Sequence, residues 1–497
     1  MNSKKLLLAI PLVLALVAIA DARPGGGQSF SGGGGHSSGG HSSGGGGGGG
    51  GAIFELIYWT LRLILYYPQV GIPLLIGIIV IVAWSYHQQQ QNKDWDMGPP
   101  AELERPIDPT ALRRLDPEFS PVLFEDFAFR LFSTAQRVRN PPQALLTVAP
   151  YVSEAARNQL AQREPMGVPV EQVVVGAIRT TRLDLPEDAT DVDGRPQRVR
   201  LALQYEANVM TGKHTYYSVE TWLFGRDATR KSKPPGAAKG FPCPNCGAPW
   251  QASATGTQKC PTCGEIVDNG RFDWIVEQVA LSSIDERPPT LTNNPPERGT
   301  DLPTYRQPGV DGRFAQLLAD DPALTDNALR ARLGLVYDQL NAAWTKCDLR
   351  PIRGLVSDGL FDYLQYWIDA YQRQGLRNEL VDMRITAATI AKVTRDKWYD
   401  AVTVRIWGRG KDFTVRSGSG EVVTGSKHRE RAYSEYWTLV RSASRKGATK
   451  TEPACSNCGA PLKITQAGAC EFCGAHVTAG EFDWVLSKIE QDDTYRG

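Results

Sequence analysis

The sequence is poor in the patterns from which most catalytic sites are built. Among 497 residues there are six histidines, and no nucleophile elbow, phosphate-cradling glycine loop or metal-binding histidine pair occurs. His214 and His428 stand at related points of two similar segments but out of register, six residues before Glu220 and seven before Glu435. Neither has an acidic partner at a repeated spacing, so no general-base pair is legible. Excess charge of one sign is also missing. The formal net charge is +1, which gives no support to nucleic-acid binding through a broad basic surface. These absences point to a chain that is not an enzyme.

Cysteine is scarce as well, nine in all, yet eight of the nine fall into two quartets of one design. The first is Cys243, Cys246, Cys260 and Cys263; the second is Cys455, Cys458, Cys470 and Cys473. In each, two Cys-x-x-Cys-Gly knuckles aim their sulfurs at one point, the chemistry of a closed tetrahedral thiolate site. Each quartet is expected to hold one structural zinc ion, two per chain. The alternative is two disulfides per ribbon, which an oxidising compartment would permit. A catalytic zinc does not fit, because four thiolates leave no open position for water. Cys347, the ninth, lies in a helical pattern and is expected to act as a small buried hydrophobe.

The first ninety residues differ in kind from the rest. Residues 1–22 have a charged start at Lys4 and Lys5, an apolar run and a small-residue end, which reads as a signal peptide; an uncleaved membrane helix is the alternative. Residues 23–51 are glycine and serine with His36 and His41, too polar and too small to fold, and so a flexible tether. Within 52–87, an aromatic and aliphatic stretch carrying Glu55 and Arg62 suits an interfacial helix. The uncharged segment 70–86, ending in Trp84 and Tyr86, then suits a membrane span. Thiolate metal sites favour a reducing compartment, so the domains that follow are expected in the cytoplasm.

From there the chain repeats itself. A linker (88–117) leads to a first domain (118–284) and a second linker (285–322) to a second domain (323–492). Each domain opens with an apolar helical face: Leu123, Phe124, Phe127, Leu131 and Phe132 in one, Leu329, Leu333, Val336, Tyr337 and Leu340 in the other. Ser153 and Ser357 are expected N-caps of a second helix. Strands follow at 170–183 and 199–210, matched by 383–394 and 399–407. A third strand carries Glu220-Thr221-Trp222-Leu223-Phe224, answered by Glu435-Tyr436-Trp437-Thr438-Leu439. The last, at 272–279 and 482–489, opens with Phe-Asp-Trp in both copies. The zinc ribbons (241–267 and 453–477) are insertions in the final hairpin of each. The predicted fold class is α+β: two tandem cone-like domains, helices packed on a curved antiparallel sheet, behind an N-terminal membrane helix.

These motifs resemble the Tim forty-four-like domain, named for a subunit of the mitochondrial inner-membrane translocase and found in bacterial membrane proteins. The resemblance implies the cone fold named for nuclear transport factor two, a place at the bacterial inner membrane, and a link to protein translocation or membrane assembly. The doubling and the inserted ribbons depart from the simple family pattern. Trp222, Trp274, Trp437 and Trp484 either line a cone pocket or pack sheet against helices, and packing is the ordinary use of buried aromatics. Glu220 and Glu435 are expected on a solvated strand face. Basic residues flank the ribbons: Arg226, Arg230, Lys231, Lys233 and Lys239, then Arg441, Arg445, Lys446 and Lys450. They are solvated loops or contacts for anionic lipid. The expected function is a membrane-anchored, non-catalytic scaffold for a protein partner or lipid. The alternatives are a small-ligand binder or enzyme using the cone pocket, and a ribbon that binds nucleic acid.

Overall fold

Serine and proline decide where the first helix begins. Ser120 stands in extended backbone and its hydroxyl accepts from the Leu123 N–H, while Pro121 fills the first turn, where its missing donor is not needed. The helix α1 (Pro121–Val138) buries Phe124, Ala128, Leu131, Phe132 and Ala135 along one face. Ser153 then caps α2 (Glu154–Ala161) by accepting from the Ala156 N–H, as its sequence position predicts. Four antiparallel strands follow: β1 (Gln172–Asp184), β2 (Arg198–Thr211), β3 (His214–Asp227) and β4 (Ile275–Glu286), ordered β1-β2-β3-β4 across the sheet. β2 and β3 pair without a slip from Arg198 opposite Asp227 to Thr211 opposite His214. The core between helices and sheet gathers Phe124, Phe132, Tyr205, Trp222, Phe224 and Trp274.

The second half repeats this order with additions. α3 (Val310–Asp320) precedes α4 (Asp326–Thr345), which Thr325 caps, and α5 (Asp358–Arg373), which Ser357 caps through the Leu360 N–H. The strands are β5 (Leu376–Arg395), β6 (Tyr399–Arg416), β7 (Val422–Gly425), β8 (Arg431–Ser442) and β9 (Val485–Gln491). Their order is β5-β6-β8-β9, with β7 paired to β6. In each half the residue before the cap of the helix that leads into the sheet pairs in parallel with the last strand: Val152 with Val276, Val356 with Leu486. The mixed helix-and-sheet architecture with two antiparallel sheets is consistent with the α+β expectation.

This is a computed structural model. It describes residues 107–212, 214–234, 240–252, 258–286, 291, 300–449, 483–492, 495 and 497, with scattered positions between 62 and 80. The described residues from 107 onward belong to one compact unit, and those between 62 and 80 to another. The signal-peptide, glycine-tract and second-quartet readings lie outside the described residues, as does most of 52–87. The described positions of 62–80 are helical apart from Tyr67, and Val70, Ile72, Ile76 and Val80 are exposed. Among the described residues no helix is long and apolar enough to cross a membrane.

Several expectations change. α3 falls where a linker is predicted, since it is only eleven residues long and no cap residue announces it: Gly309 precedes it without a side-chain bond. β5 and β6 run past the predicted strands at 383–394 and 399–407, through a bulge at Asp382, whose φ is 58°. Cys347 lies beyond the helix rather than in it. It follows the C-cap Lys346 of α4 at φ 52°, half-buried, and burial raises its thiol pKa.

Candidate metal centre and the buried networks beside it

The first cysteine quartet lies between β3 and β4. Cys243 accepts from the Gly247 N–H and donates its own N–H to Ala248; Cys260 does the same with Gly264 and Glu265. Each is a tight turn that brings the second cysteine under the first. Gly247 and Gly264 have φ of 75° and 74°, a region where a Cβ is strained, and so glycine closes both knuckles. The four sulfurs all lie within 4.8 Å of one another, with Cys243 to Cys263 and Cys246 to Cys260 both at 3.8 Å. A disulfide needs about 2.05 Å. A tetrahedral ion with sulfurs at about 2.3 Å needs edges of about 3.8 Å. The quartet could therefore hold a metal ion as it stands.

The local electrostatics are alike at the two buried ligands. Burial works against charge on each sulfur, while the N–H groups of Cys263 and Thr262 at Cys260, and of Cys246 and Asn245 at Cys243, favour the thiolate. Four crowded sulfurs of this kind are stable as thiolates only around a cation.

The ribbon is fastened to the body of the first half. Trp250 donates through its indole N–H to the Leu146 carbonyl at 2.8 Å, and Phe241 packs against Phe127 and Tyr151. Lys233 bridges the Pro244 carbonyl and Asp273. At the base, Arg226 of β3 bonds Asp116 at 2.8 Å and lies over the Trp274 ring at 4.6 Å, all three buried. Asp116 also accepts from the backbone and hydroxyl of Ser232, on the chain leading to the ribbon.

The second half builds the same base. Arg441 bonds Asp321 at 2.9 Å and lies over Trp484 at 4.7 Å, and Asp321 accepts from the Gly447 N–H. The segment between β8 and β9 holds Cys455, Cys458, Cys470 and Cys473, in the same place in the strand order as the first quartet; these four lie outside the described residues. One cluster of four cysteines is found among the described residues.

Glu220 and Glu435 are not on a solvated face. Both are buried, each bonded at 2.9 Å to the indole of the tryptophan two residues on, Trp222 and Trp437. Residues two apart in a strand share a face, so burying the tryptophan buries the acid. The burial of Trp222, Trp274, Trp437 and Trp484 agrees with a packing role. His214 is exposed at the rim beside Glu286, and His428 is exposed between β7 and β8. Neither enters the interior.

With the geometry in hand, a comparison against family profiles finds a Tim44-like domain at residues 311–451. The match begins in α3, covers the helices and β5 to β8, and ends short of the second quartet. No curated protein matches the chain.

Proposed function

We propose that the chain is a membrane-anchored, non-catalytic scaffold that holds a protein partner or lipid near the bacterial inner membrane. The partner would belong to protein translocation or membrane assembly. The single observation that carries this reading is the Tim44-like domain at residues 311–451. In this proposal the first half is a second copy of that domain. The shared strand order, the paired Asp–Arg–Trp bases and the paired Glu–Trp bonds support that view.

Zinc is the ion proposed for each quartet. The first quartet's four soft thiolates at tetrahedral spacing suit it, the second repeats the same knuckle sequence, and a closed site of this kind serves folding, not chemistry. The membrane helix and signal peptide remain part of the proposal, with the two halves on the cytoplasmic side. A tether of this kind raises local concentration at the bilayer, so modest affinities are enough.

The test is crosslinking of the full-length chain in intact cells, followed by identification of the linked proteins. Recovery of components of membrane-protein insertion or export, lost when the second half is replaced, is the expected result. Recovery of none above the level of an unrelated membrane-anchored control would sink the reading.

A further inference from the structure

The apolar shell of the ribbon covers three of its four sulfurs. Cys243 and Cys260, the first cysteines of their knuckles, are 2% and 1% exposed and pack with Val267. Cys263 and Trp250 lie half-buried against them. Cys246 stands outside this cluster. It is exposed, and so are its chain neighbours Asn245 and Gly247. The matching cysteine of the second knuckle is treated differently, since Cys263 is half-buried although Thr262 and Gly264 beside it are exposed. One ligand of the quartet is therefore open to reagents in solvent.

The sulfur facing Cys246 belongs to the other knuckle: Cys260 Sγ stands 3.8 Å away, and Cys243 and Cys263 are spaced alike. Closing either pair to the ~2.05 Å of a disulfide needs a movement of under about 2 Å. Susceptibility to oxidation follows thiolate character and exposure, and within the quartet only Cys246 combines the two. We propose that Cys246 and Cys260 form an oxidation site, at which a peroxide joins them as a disulfide and opens the metal site. The proposal rests on the reading of the quartet as a metal centre and adds to it a point of attack and a product.

The step balances as follows. The Cys246 thiolate attacks one peroxide oxygen, the O–O bond breaks, and hydroxide leaves, so that Cys246 becomes a sulfenic acid. The Cys260 thiolate then attacks that sulfur, the S–O bond breaks, and a second hydroxide leaves as the S–S bond forms. The two sulfurs have given up two electrons and the peroxide has taken them; both hydroxides become water by taking protons from the buffer. Cys243 and Cys263 are left as two thiolates, which no longer close a four-ligand site around an ion. Phe241 and Trp250 flank the first knuckle and fasten the ribbon to the first half, so the oxidation acts at its point of attachment. A thiol reductant reverses it.

The experiment uses the full-length chain in detergent, with its metal content measured under reductant before any oxidant is added. Hydrogen peroxide is then titrated while a chromophoric chelator reports released zinc. Free thiols are trapped, and disulfides in both quartets are mapped by mass spectrometry of one digest. Release of about one zinc is expected to track a Cys246–Cys260 disulfide, and reductant with added zinc should restore the metal. A brief pulse of N-ethylmaleimide should label Cys246 about tenfold or more ahead of Cys263 and of Cys347, which is half-buried with its thiol pKa raised by burial. A reduced chain that carries no metal removes the metal reading and this one with it. Metal that is present but survives peroxide sufficient to oxidise free cysteine in the same sample overturns the oxidation site alone. So does a first disulfide within one knuckle, or labelling of Cys263 as fast as Cys246.

Discussion

Each half rests on one buried aspartate. Asp116 and Asp321 lie ahead of the first long helix of their halves. Each ties an arginine of the third strand, the tryptophan at the start of the fourth, and the chain leading to the cysteine segment. Taking one partner from a buried ion pair leaves the other charged and uncompensated. Arg226→Gln should therefore destabilise the chain by about 3–5 kcal/mol in denaturant melts, whereas an exposed pair such as Arg130–Asp126 should give about 0.5 kcal/mol or less. Equal small losses from both would refute the special place given to the base. The aspartates carry no sequence signal beyond their positions before each helix cap, so they are invisible without the fold. Glu220 and Glu435 were legible in principle. An acid two residues before a tryptophan in a strand must share its face, and the rule that alternation marks a solvated surface fails once the tryptophan is inside.

At the scale of elements, the caps were the most legible feature, because a serine before an apolar helical run has a local cause. Ser153 and Ser357 each accept from a helix N–H and donate to the last strand, at the Glu277 and Ser487 carbonyls. Ser153→Ala and Ser357→Ala should each cost about 1–2 kcal/mol, and nearly additively, as the sites share no partner. The cysteine knuckles were equally plain, since their chemistry is written in four residues and a glycine. The purified full-length chain should carry about two zinc ions, falling to about one in Cys260→Ser. A chelator should loosen the ribbon, read as new protease cuts between 240 and 268. An unchanged metal content in Cys260→Ser would remove the metal from this site. α3 and β7 were not legible, because a short helix without a cap and a four-residue strand owe their existence to the surfaces they cover.

The two halves also act on each other, and here the sequence was silent, since contacts between repeats leave no periodic trace. Trp398, at the turn between β5 and β6, donates to the Glu118 carbonyl at 3.1 Å, and its neighbour Lys397 pairs with the Glu118 side chain. Arg113 reaches the Arg395 carbonyl at 3.0 Å. Val174 and Met210 of the first sheet join the core of the second half, and the ring of Phe129 approaches Gly359 at the start of α5. Apolar burial of this kind couples the unfolding of the two halves, whereas a polar, wet junction would let them open separately. The native chain should then melt from residue 107 onward in a single transition. Trp398→Ala removes both the indole bond and its packing. It should cost about 3 kcal/mol and split the melt into two steps, read by calorimetry and by hydrogen exchange in each half. If the native chain already melts in two steps, or the variant still melts in one, the halves are joined by the chain and not by this surface.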